Sequence, residues 1–463
     1  MGDVDDHAIV IGAGVAGVLT ARALARRFAR VTVIDRDALP EREPAFRPGL
    51  PQSPQIHAFW KQGVDCAEQL LPGLTRELAV HGAHQLVVPR DFLWLSPAGW
   101  FPRVSGAADL TCSRVLLDWI LRRMANLDER IEFLPESEVT GLVATPRGDG
   151  VRGVRVRIAG STEAQILTAG LVADASGRRS NAARWLAELG YPAPSVERYD
   201  AGFGYSSRYY EMPDSPARDW KAIYIQTSPG TPRGGVVVPV EGDRWMVTLL
   251  GCGDHVPPTK DDQFLDYARS LRSPVLYEAI RRAAPLSDAQ AFRNTANEWR
   301  HYESLDRRPR GFLVLGDALC RFNPVYGQGM TVAAMSAKAV ADMIEGMSPA
   351  RIHRESGRLQ RVAAAQSANA WGLATGEDLR FPWTEGRPPG TMVKLLHRYM
   401  DHVVAAGGVD PATCRTIFQV FGMTAPPAAL FAPAAVARVA ARWNAAAASS
   451  PLAASPPPAP SIA

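Results

Sequence analysis

A glycine-rich turn near the amino terminus constrains the fold of this chain more than any other feature. Residues 8–12 form an apolar run that predicts a strand, residues 12–17 read Gly-Ala-Gly-Val-Ala-Gly, and residues 18–28 have helical spacing. A β-branched run at residues 31–34 then ends at Asp35. Strand, tight turn, helix and strand in this order are typical of a parallel α/β sheet that binds a dinucleotide.

The turn predicts how a pyrophosphate is held. Glycine permits the tight turn and lets backbone amides approach the phosphates at the start of the helix. The turn residues assigned to the cofactor are Gly12, Gly14, Ala16 and Gly17. Asp35 follows Gly12 by 23 residues, where a carboxylate accepts hydrogen bonds from the adenosine ribose. Arg36 either lies over the adenine or is solvated. The alternative is an ordinary α/β turn with Asp35 as a surface charge.

A second motif favours FAD over a nicotinamide dinucleotide. Residues 311–317 read Gly-Phe-Leu-Val-Leu-Gly-Asp, and residues 323–329 read Asn-Pro-Val-Tyr-Gly-Gln-Gly. The apolar strand delivers its aspartate to the carboxyl end of the sheet, where it can hold a ribityl hydroxyl. A long helix predicted at residues 327–344 would stabilise negative charge on a reduced flavin. The residues assigned to the flavin are Asp317, Pro324, Gly327, Gln328, Gly329 and Met330. The alternative is an aspartate cap with glycines that serve packing.

These motifs resemble the flavoprotein monooxygenases of the para-hydroxybenzoate hydroxylase fold. That family has an N-terminal glycine motif, an Asp-Gly motif and a Gly-Asp motif, whose counterparts here are residues 12–17, 174–177 and 316–317. Residues 315–330, Leu-Gly-Asp-Ala-Leu-Cys-Arg-Phe-Asn-Pro-Val-Tyr-Gly-Gln-Gly-Met, resemble the bacterial polyketide epoxidases such as the lasalocid epoxidase, which are similar to squalene epoxidase. The likeness covers about residues 8–345 and includes Pro-Gln at 51–52 with His57, Thr-Cys-Ser-Arg at 111–114 and Leu-Gly-Tyr-Pro at 189–192.

The resemblance implies further contacts with FAD. Arg114 is expected at the phosphate or ribose, backbone near Val139 at the adenine, and Asp174 on the pyrophosphate side. The strict Asp-Gly pair is Asp-Ala-Ser-Gly here, which leaves open the residue that carries its role. The implied chemistry uses FAD with NADPH or NADH as reductant. One oxygen atom is then transferred from a flavin C4a-hydroperoxide to a small apolar substrate.

Three functions fit this resemblance. Epoxidation of a polyketide-like or terpenoid-like alkene in secondary metabolism, such as antibiotic biosynthesis, is favoured, because residues 202–250 offer no His or paired carboxylates for the proton relay that a phenol needs. Tyr224, Arg233 or His301 could still serve as that relay. Aromatic hydroxylation is the alternative, and an FAD-binding protein with a non-redox cyclase role is the third. The Trp-x-Trp-x-Ile-Pro motif of flavin-dependent halogenases is absent.

Three further positions have open roles. His57, on a helix predicted at residues 56–71, is the candidate catalytic residue, with a structural role as the equal alternative. Arg42 and Arg47 lie in a proline-rich loop, which the resemblance places near the cofactor, and they are expected to be solvated. No metal site is expected.

The predicted fold is α/β, a Rossmann-like FAD-binding domain with an inserted, mostly antiparallel β-sheet substrate domain and a helical C-terminal region. The FAD-binding parts are predicted at residues 1–84, 111–190 and 306–346, the substrate-domain strands at 85–110, the substrate-binding β-sheet domain at 191–305, the helical region at 347–443 and a disordered tail at 444–463.

Composition limits the partners. The net charge of +4 comes from 51 basic and 47 acidic side chains with no basic run, so no nucleic acid is expected. Five scattered cysteines without a Cys-x-x-Cys pair argue against disulfides and favour a cytoplasmic location. No apolar run is long enough for an integral membrane protein.

The source of electrons stays open between two alternatives. Because the sequence has one complete dinucleotide fingerprint, the nicotinamide is expected to dock transiently near the flavin, or a flavin reductase is expected to supply the electrons.

Overall fold

The computed structural model describes residues 6–161, 163–213, 218–443 and 456–458. Its strands are β1 (His7–Ile11), β2 (Arg30–Ile34), β3 (His84–Val88), β4 (Phe92–Ser96), β5 (Gly99–Trp100), β6 (Ala107–Thr111), β7 (Ile131–Leu134), β8 (Ser137–Ala144), β9 (Val151–Ile158), β10 (Gln165–Thr168), β11 (Leu171–Asp174), β12 (Val196–Tyr199), β13 (Phe203–Glu211), β14 (Ala222–Ile225), β15 (Arg233–Val240), β16 (Arg244–Cys252), β17 (Gln290–Phe292), β18 (Asn297–Arg300), β19 (Phe312–Val314) and β20 (Cys320–Arg321). Its α-helices are α1 (Val15–Leu24), α2 (Lys61–Leu70), α3 (Leu74–Val80), α4 (Arg114–Ala125), α5 (Ala182–Glu188), α6 (Asp261–Arg269), α7 (Val275–Ile280), α8 (Gly329–Met343), α9 (Pro349–Ala365), α10 (Ala368–Asp378), α11 (Thr391–Gly407), α12 (Pro411–Phe421) and α13 (Pro433–Ala441).

A parallel five-stranded sheet forms the nucleotide-binding layer, in the order β19-β11-β1-β2-β7. Strand β1 lies at its centre and is buried along its whole length. Its side chains alternate between two cores, because successive residues of a strand face opposite sides. Ala8 and Val10 pack in the core that contains α1, α4 and α8, whereas Ile9 and Ile11 pack in the core that contains β8 and β9. The centre of a parallel sheet is therefore apolar on both faces, as such sheets require.

A second sheet of seven strands has the order β17-β13-β16-β15-β14-β4-β5. All of its neighbouring pairs are antiparallel except β4 and β14. Val237 of β15 packs in the core beneath α6 and α7, while its neighbours Val236 and Val238 pack on the opposite face. Helices α11, α12 and α13 cover part of that opposite face. The predicted α/β fold with its mostly antiparallel second sheet is confirmed.

Smaller elements join the two sheets. Strands β3 and β6 form an antiparallel ribbon, and β12, β18 and β20 form a three-stranded sheet that uses residues from both sides of the boundary predicted at residue 305. Helix α9 packs against α8 and β19. The predicted domain boundaries stay predictions, and the predicted tail, residues 444–463, lies outside the described residues except for 456–458.

Two predicted helices begin later than expected. The helix predicted at residues 56–71 begins only at Lys61, so His57 lies in an irregular segment. The helix predicted at residues 327–344 begins at Gly329, because a 3-10 turn (Pro324–Tyr326) and Gly327, with φ of +63°, precede it. Within the described ranges, no helix combines the length and apolar character needed to cross a bilayer.

Candidate functional site

A cavity of about 570 Å³ lies between the carboxyl edge of the parallel sheet and one face of the seven-stranded sheet. The predicted site residues that line it are Gly12, Gly14, Ala16, Asp35, Arg36, His57, Arg114, Val139, Asp317, Pro324, Gly327, Gln328, Gly329 and Met330. Gly17 and Asp174 lie behind its wall. Both sequence motifs therefore converge on one cavity, although they are separated by about three hundred residues.

The glycines of the first turn have different reasons to be glycine. A Cβ atom on Gly12, whose φ is +99°, would lie 2.6 Å from the carbonyl oxygen of Ala175. A Cβ atom on Gly17 would lie 1.8 Å from the carbonyl oxygen of Gly12. At Gly14, by contrast, the nearest atoms belong to Arg114 and Leu50 and are 4.0 Å away. The protein's own packing requires Gly12 and Gly17, whereas the space at Gly14 is open to a ligand.

Asp35 is held at the end of β2 beside this turn. Its Oδ2 atom accepts a hydrogen bond of 2.6 Å from the amide of Ala13, and its Oδ1 atom accepts one of 2.9 Å from the amide of Asp37. Arg47 is also buried here, with Nη1 3.4 Å from Asp35 Oδ2 and Nη2 donating to the carbonyl oxygen of Ala13 at 3.2 Å. The expectation that Arg47 is solvated was wrong, because its side chain is only 3% exposed, whereas Arg42 is exposed.

Arg114 places positive charge near the pyrophosphate turn. It is the first residue of α4, which Ser113 caps by accepting a hydrogen bond from the amide of Leu116 at 3.1 Å. The Arg114 Nε atom donates to Asp118 at 2.9 Å, which fixes the guanidinium. A terminal nitrogen of Arg114 is the atom that lies 4.0 Å from the open Cβ position of Gly14. Open space for a ligand and a fixed cation therefore meet here, as a bound pyrophosphate requires.

Asp174 supports the cavity wall from behind. It is fully buried at the end of β11 and accepts hydrogen bonds from the amide of Ser176 at 2.9 Å and the hydroxyl of Ser180 at 2.5 Å. Burial raises the pKa of Asp174. The turn that it holds, residues 175–177, lines the cavity. Asp174 therefore acts through the shape of this turn.

The turn before α8 forms the opposite end of the cavity. The Oδ1 atom of Asn323 accepts a hydrogen bond from the amide of Val325 at 3.3 Å, and a Cβ atom on Gly327 would lie 2.6 Å from Cβ of Ala58. Gln328 is 2% exposed, and none of the described residues donates a hydrogen bond to its buried Oε1 atom. A buried acceptor without a partner beside a cavity fits a ligand that supplies a donor.

His57 belongs to a segment that packs against this turn. The Trp60 amide donates to Thr331 Oγ1 at 3.1 Å, and Trp60 Nε1 donates to the carbonyl oxygen of Tyr326 at 3.3 Å. The Nδ1 atom of His57 donates to the carbonyl oxygen of Gln55 at 2.8 Å, which leaves Nε2 as an acceptor. Burial, and then the charge of Arg114, lower the pKa of His57 to about 3. His57 is thus a neutral acceptor at physiological pH.

The seven-stranded sheet and the β3–β6 ribbon provide an apolar wall. Its apolar and aromatic members include Leu86, Val88, Phe92, Trp94, Leu110, Tyr205, Tyr224, Val236, Val238, Leu250 and Phe292. Burial raises the pKa of both Tyr205 and Tyr224, so their hydroxyls stay protonated. His301 lies away from the cavity, with Nδ1 2.7 Å from Glu303 and Nε2 3.0 Å from Glu197.

Asp109 is a cavity residue that the sequence did not reveal. It lies on β6 opposite Leu86 of β3, is 8% exposed and lines the cavity. Burial raises the pKa of Asp109 to about 7, and its Oδ1 atom has no hydrogen-bond partner among the described residues. A carboxyl group therefore reaches the cavity from outside residues 202–250. The only sequence signal was an acidic residue within the segment predicted to form substrate-domain strands, residues 85–110.

A family model described as "FAD binding domain" matches residues 5–347. The chain belongs to this family. FAD is therefore its cofactor, and the chain is a flavoprotein. The family match ends shortly after α8 and does not include α9 to α13.

Comparisons with individual proteins cover most of the chain. Protein Rv3254 of Mycobacterium tuberculosis (strain ATCC 25618 / H37Rv) is 29% identical over 439 residues, which are 91% of this chain and 90% of the relative. The flavin-dependent brominase Bmp2 has a TM-score of 0.63 at 16% identity, over 95% of this chain and 99% of its own. PqsL, a probable FAD-dependent monooxygenase from Pseudomonas aeruginosa, has a TM-score of 0.58 at 17% identity, over 80% of this chain and 94% of its own. The myxobacterial chondrochloren halogenase CndH has a TM-score of 0.62 at 16% identity, over 90% of this chain and 96% of its own. At these identities the solved structures support the fold.

Proposed function

We propose that this flavoprotein transfers one oxygen atom from O2 to an apolar substrate, and that the reaction is epoxidation of a polyketide-like or terpenoid-like alkene. The observation that carries the proposal is the continuity of the cavity, in which the FAD motifs and the apolar sheet face share one space. Among the solved relatives are halogenases, but the Trp-x-Trp-x-Ile-Pro motif of halogenases is absent from this sequence. Oxygen transfer is therefore favoured over halogenation.

Different residues of the chain would bind the two ends of FAD at opposite ends of the cavity. Gly14, Arg114 and Asp35 would hold the pyrophosphate and ribose, and Asp317 and Gln328 would hold the flavin end. FAD, once reduced by NADPH or NADH, supplies the activation of O2. The apolar wall orients the alkene and excludes water, which limits unproductive loss of the reducing power as peroxide.

Aromatic hydroxylation is the second candidate, and Asp109 is the observation that favours it. A phenol becomes a better nucleophile when it loses its proton, and a carboxyl group whose pKa is raised to about 7 can accept that proton. An alkene needs no such base. The two reactions therefore differ in their dependence on Asp109, although they share the cofactor and the cavity.

Mass spectrometry of reactions with 18O2 tests the proposal. Candidate alkenes and phenols are supplied with NADPH, and epoxidation is expected to add one 18O atom to an alkene. Asp109→Asn, His301→Ala and Tyr224→Phe are each expected to keep the single-turnover rate of oxygen transfer within about threefold, because no proton transfer limits this step. A loss of tenfold or more in Asp109→Asn alone, with FAD content unchanged, would favour phenol hydroxylation. Absence of 18O incorporation even when a flavin reductase is added with NADPH would favour the non-redox cyclase role.

We also propose that NADPH or NADH reduces the bound flavin without a second protein. The sequence has one complete dinucleotide fingerprint, so the nicotinamide would dock transiently beside the flavin. Stopped-flow absorbance with each nicotinamide alone is expected to show flavin bleaching. If bleaching requires an added flavin reductase, a partner supplies the electrons instead.

A further inference from the structure

Asp378 is a fully buried carboxylate at the end of α10, in the helical region beyond the family match. Its Oδ2 atom accepts a hydrogen bond of 2.6 Å from Asn297 Nδ2. Its Oδ1 atom accepts one of 2.7 Å from the Tyr326 hydroxyl and one of 3.1 Å from Asn323 Nδ2. Three donors from two other segments of the chain therefore converge on one side chain.

The same network reaches three walls of the cavity. Asn323 Oδ1 accepts a hydrogen bond of 2.7 Å from the hydroxyl of Tyr205, which lies on the seven-stranded sheet. The carbonyl oxygen of Tyr326 accepts the hydrogen bond of 3.3 Å from Trp60 Nε1. Asn323, Tyr205 and Trp60 all line the cavity. Asp378 itself does not line it, so its influence passes through these neighbours.

No described basic side chain forms an ion pair with Asp378. The nearby Arg380 pairs with Glu377 at 2.9 Å and with Asp401 at 2.7 Å. A buried carboxylate without a cation is costly, and burial raises the pKa of Asp378 to about 7. A carboxylate nevertheless suits this position, since its two oxygens can accept from all three donors, whereas an amide would bring a further donor among them.

We propose that Asp378 is a positioning residue of the oxygen-transfer site, whose carboxylate fixes the turn at residues 323–327 and thereby the placement of Tyr205 and Trp60. The inference rests on the proposed monooxygenase function, to which it adds a residue from outside the matched family region. Loss of the carboxylate loosens the turn that borders the flavin and opens the apolar end of the cavity to water.

The test compares the holoenzyme with Asp378→Asn, which keeps the side-chain shape, and Tyr326→Phe, which removes one donor. Glu377→Gln is the matched control, because Glu377 is the preceding residue on the same helix and makes none of these contacts. Hydrogen exchange at the amides of residues 325–327 and the midpoint potential of the bound flavin are measured first. The partition of electrons between oxygenated product and hydrogen peroxide is measured with any accepted substrate.

Asp378→Asn is expected to speed exchange at the turn by about tenfold or more, to shift the flavin potential beyond the change in Glu377→Gln, and to raise the peroxide fraction severalfold. Tyr326→Phe should act in the same direction. The fold-change in exchange rate for the double variant should be smaller than the product of the two single fold-changes, because both residues act in one network. Exchange and potential unchanged in both single variants would overturn the inference. These two measurements need no substrate, so they remain decisive even if the protein proves not to be a monooxygenase. If Asp378→Asn does not fold, Tyr326→Phe carries the test.

Discussion

At the scale of single residues, glycines of the same motif answer to different constraints. Gly17 touches the backbone of Gly12 so closely that the turn cannot accept a side chain, whereas Gly14 has free space on the cavity side. A sequence motif does not distinguish these two cases. The contacts around each Cβ position do, and they separate the glycines that the fold requires from the one that leaves room for a cofactor.

This difference gives a paired prediction. Gly14→Ala should weaken FAD binding by tenfold or more, about 1.4 kcal/mol, with the apoprotein's Tm nearly unchanged, because the new methyl group fills only ligand space. Gly17→Ala should lower the Tm of the apoprotein by several degrees through overpacking. Flavin fluorescence titration and thermal unfolding of apoprotein measure the two effects. A large fall in the Tm of the Gly14→Ala apoprotein would contradict the assignment.

His57 gives a prediction in pH. The pKa of His57 falls from 6.5 to about 3 on folding, so between these values the unfolded state binds more protons. The contribution of His57 to stability is complete above pH 6.5 and is lost as the pH falls toward 3. Wild-type protein should therefore lose up to about 1.4 kcal/mol more free energy of unfolding per pH unit than His57→Gln in this window. Denaturant unfolding from pH 7 to pH 5 measures the slopes, and equal slopes would show that His57 is not buried as a neutral group.

At the scale of elements, the turn before α8 shows how a helix start is set. The sequence predicted a helix from residue 327, but the left-handed Gly327 and the preceding 3-10 turn delay it to Gly329. The helix predicted from residue 56 is likewise delayed to Lys61, because Trp60 donates both its amide and its indole hydrogen to the region around α8. Local propensity could not reveal the delay to Lys61, since the groups that accept the hydrogen bonds of Trp60 lie more than 250 residues away in sequence.

Gly327→Ala tests the importance of this turn, with Gly346→Ala as a control. Both glycines have positive φ, of +63° and +73°, so both variants bear the cost of a left-handed alanine. Only Gly327 has a neighbour, Ala58, within 2.6 Å of the new Cβ atom. Gly327→Ala should weaken FAD binding at least fivefold more than Gly346→Ala does. Equal FAD affinities would mean that the turn does not border the cofactor.

At the scale of the whole molecule, the cavity is closed by elements that meet only in the folded chain, so ligand and fold should be linked. FAD binds the folded state and should therefore raise the Tm. At a concentration 100 times its Kd, FAD should increase the free energy of unfolding by about 2.7 kcal/mol. Asp317→Ala should reduce this shift, whereas Asp342→Ala, on an exposed face of α8, should preserve it. Thermal unfolding over a range of FAD concentrations measures both. A Tm independent of FAD in the wild-type protein would exclude the cavity as its site.

The sequence by itself determined the α/β fold, the mostly antiparallel second sheet and the two motifs that converge on the cavity. These features depend on local chemistry, since strand and helix periods, glycine turns and an aspartate at a strand end are visible within a few residues. Only the tertiary structure decided that Arg47 is buried and that Asp109 lines the cavity. It also decided that the side chain of Asp378 accepts hydrogen bonds from Asn297, Asn323 and Tyr326, which precede it by 81, 55 and 52 positions. The physical reason is that the burial and the partners of a polar side chain depend on segments brought together by folding, which no local pattern records.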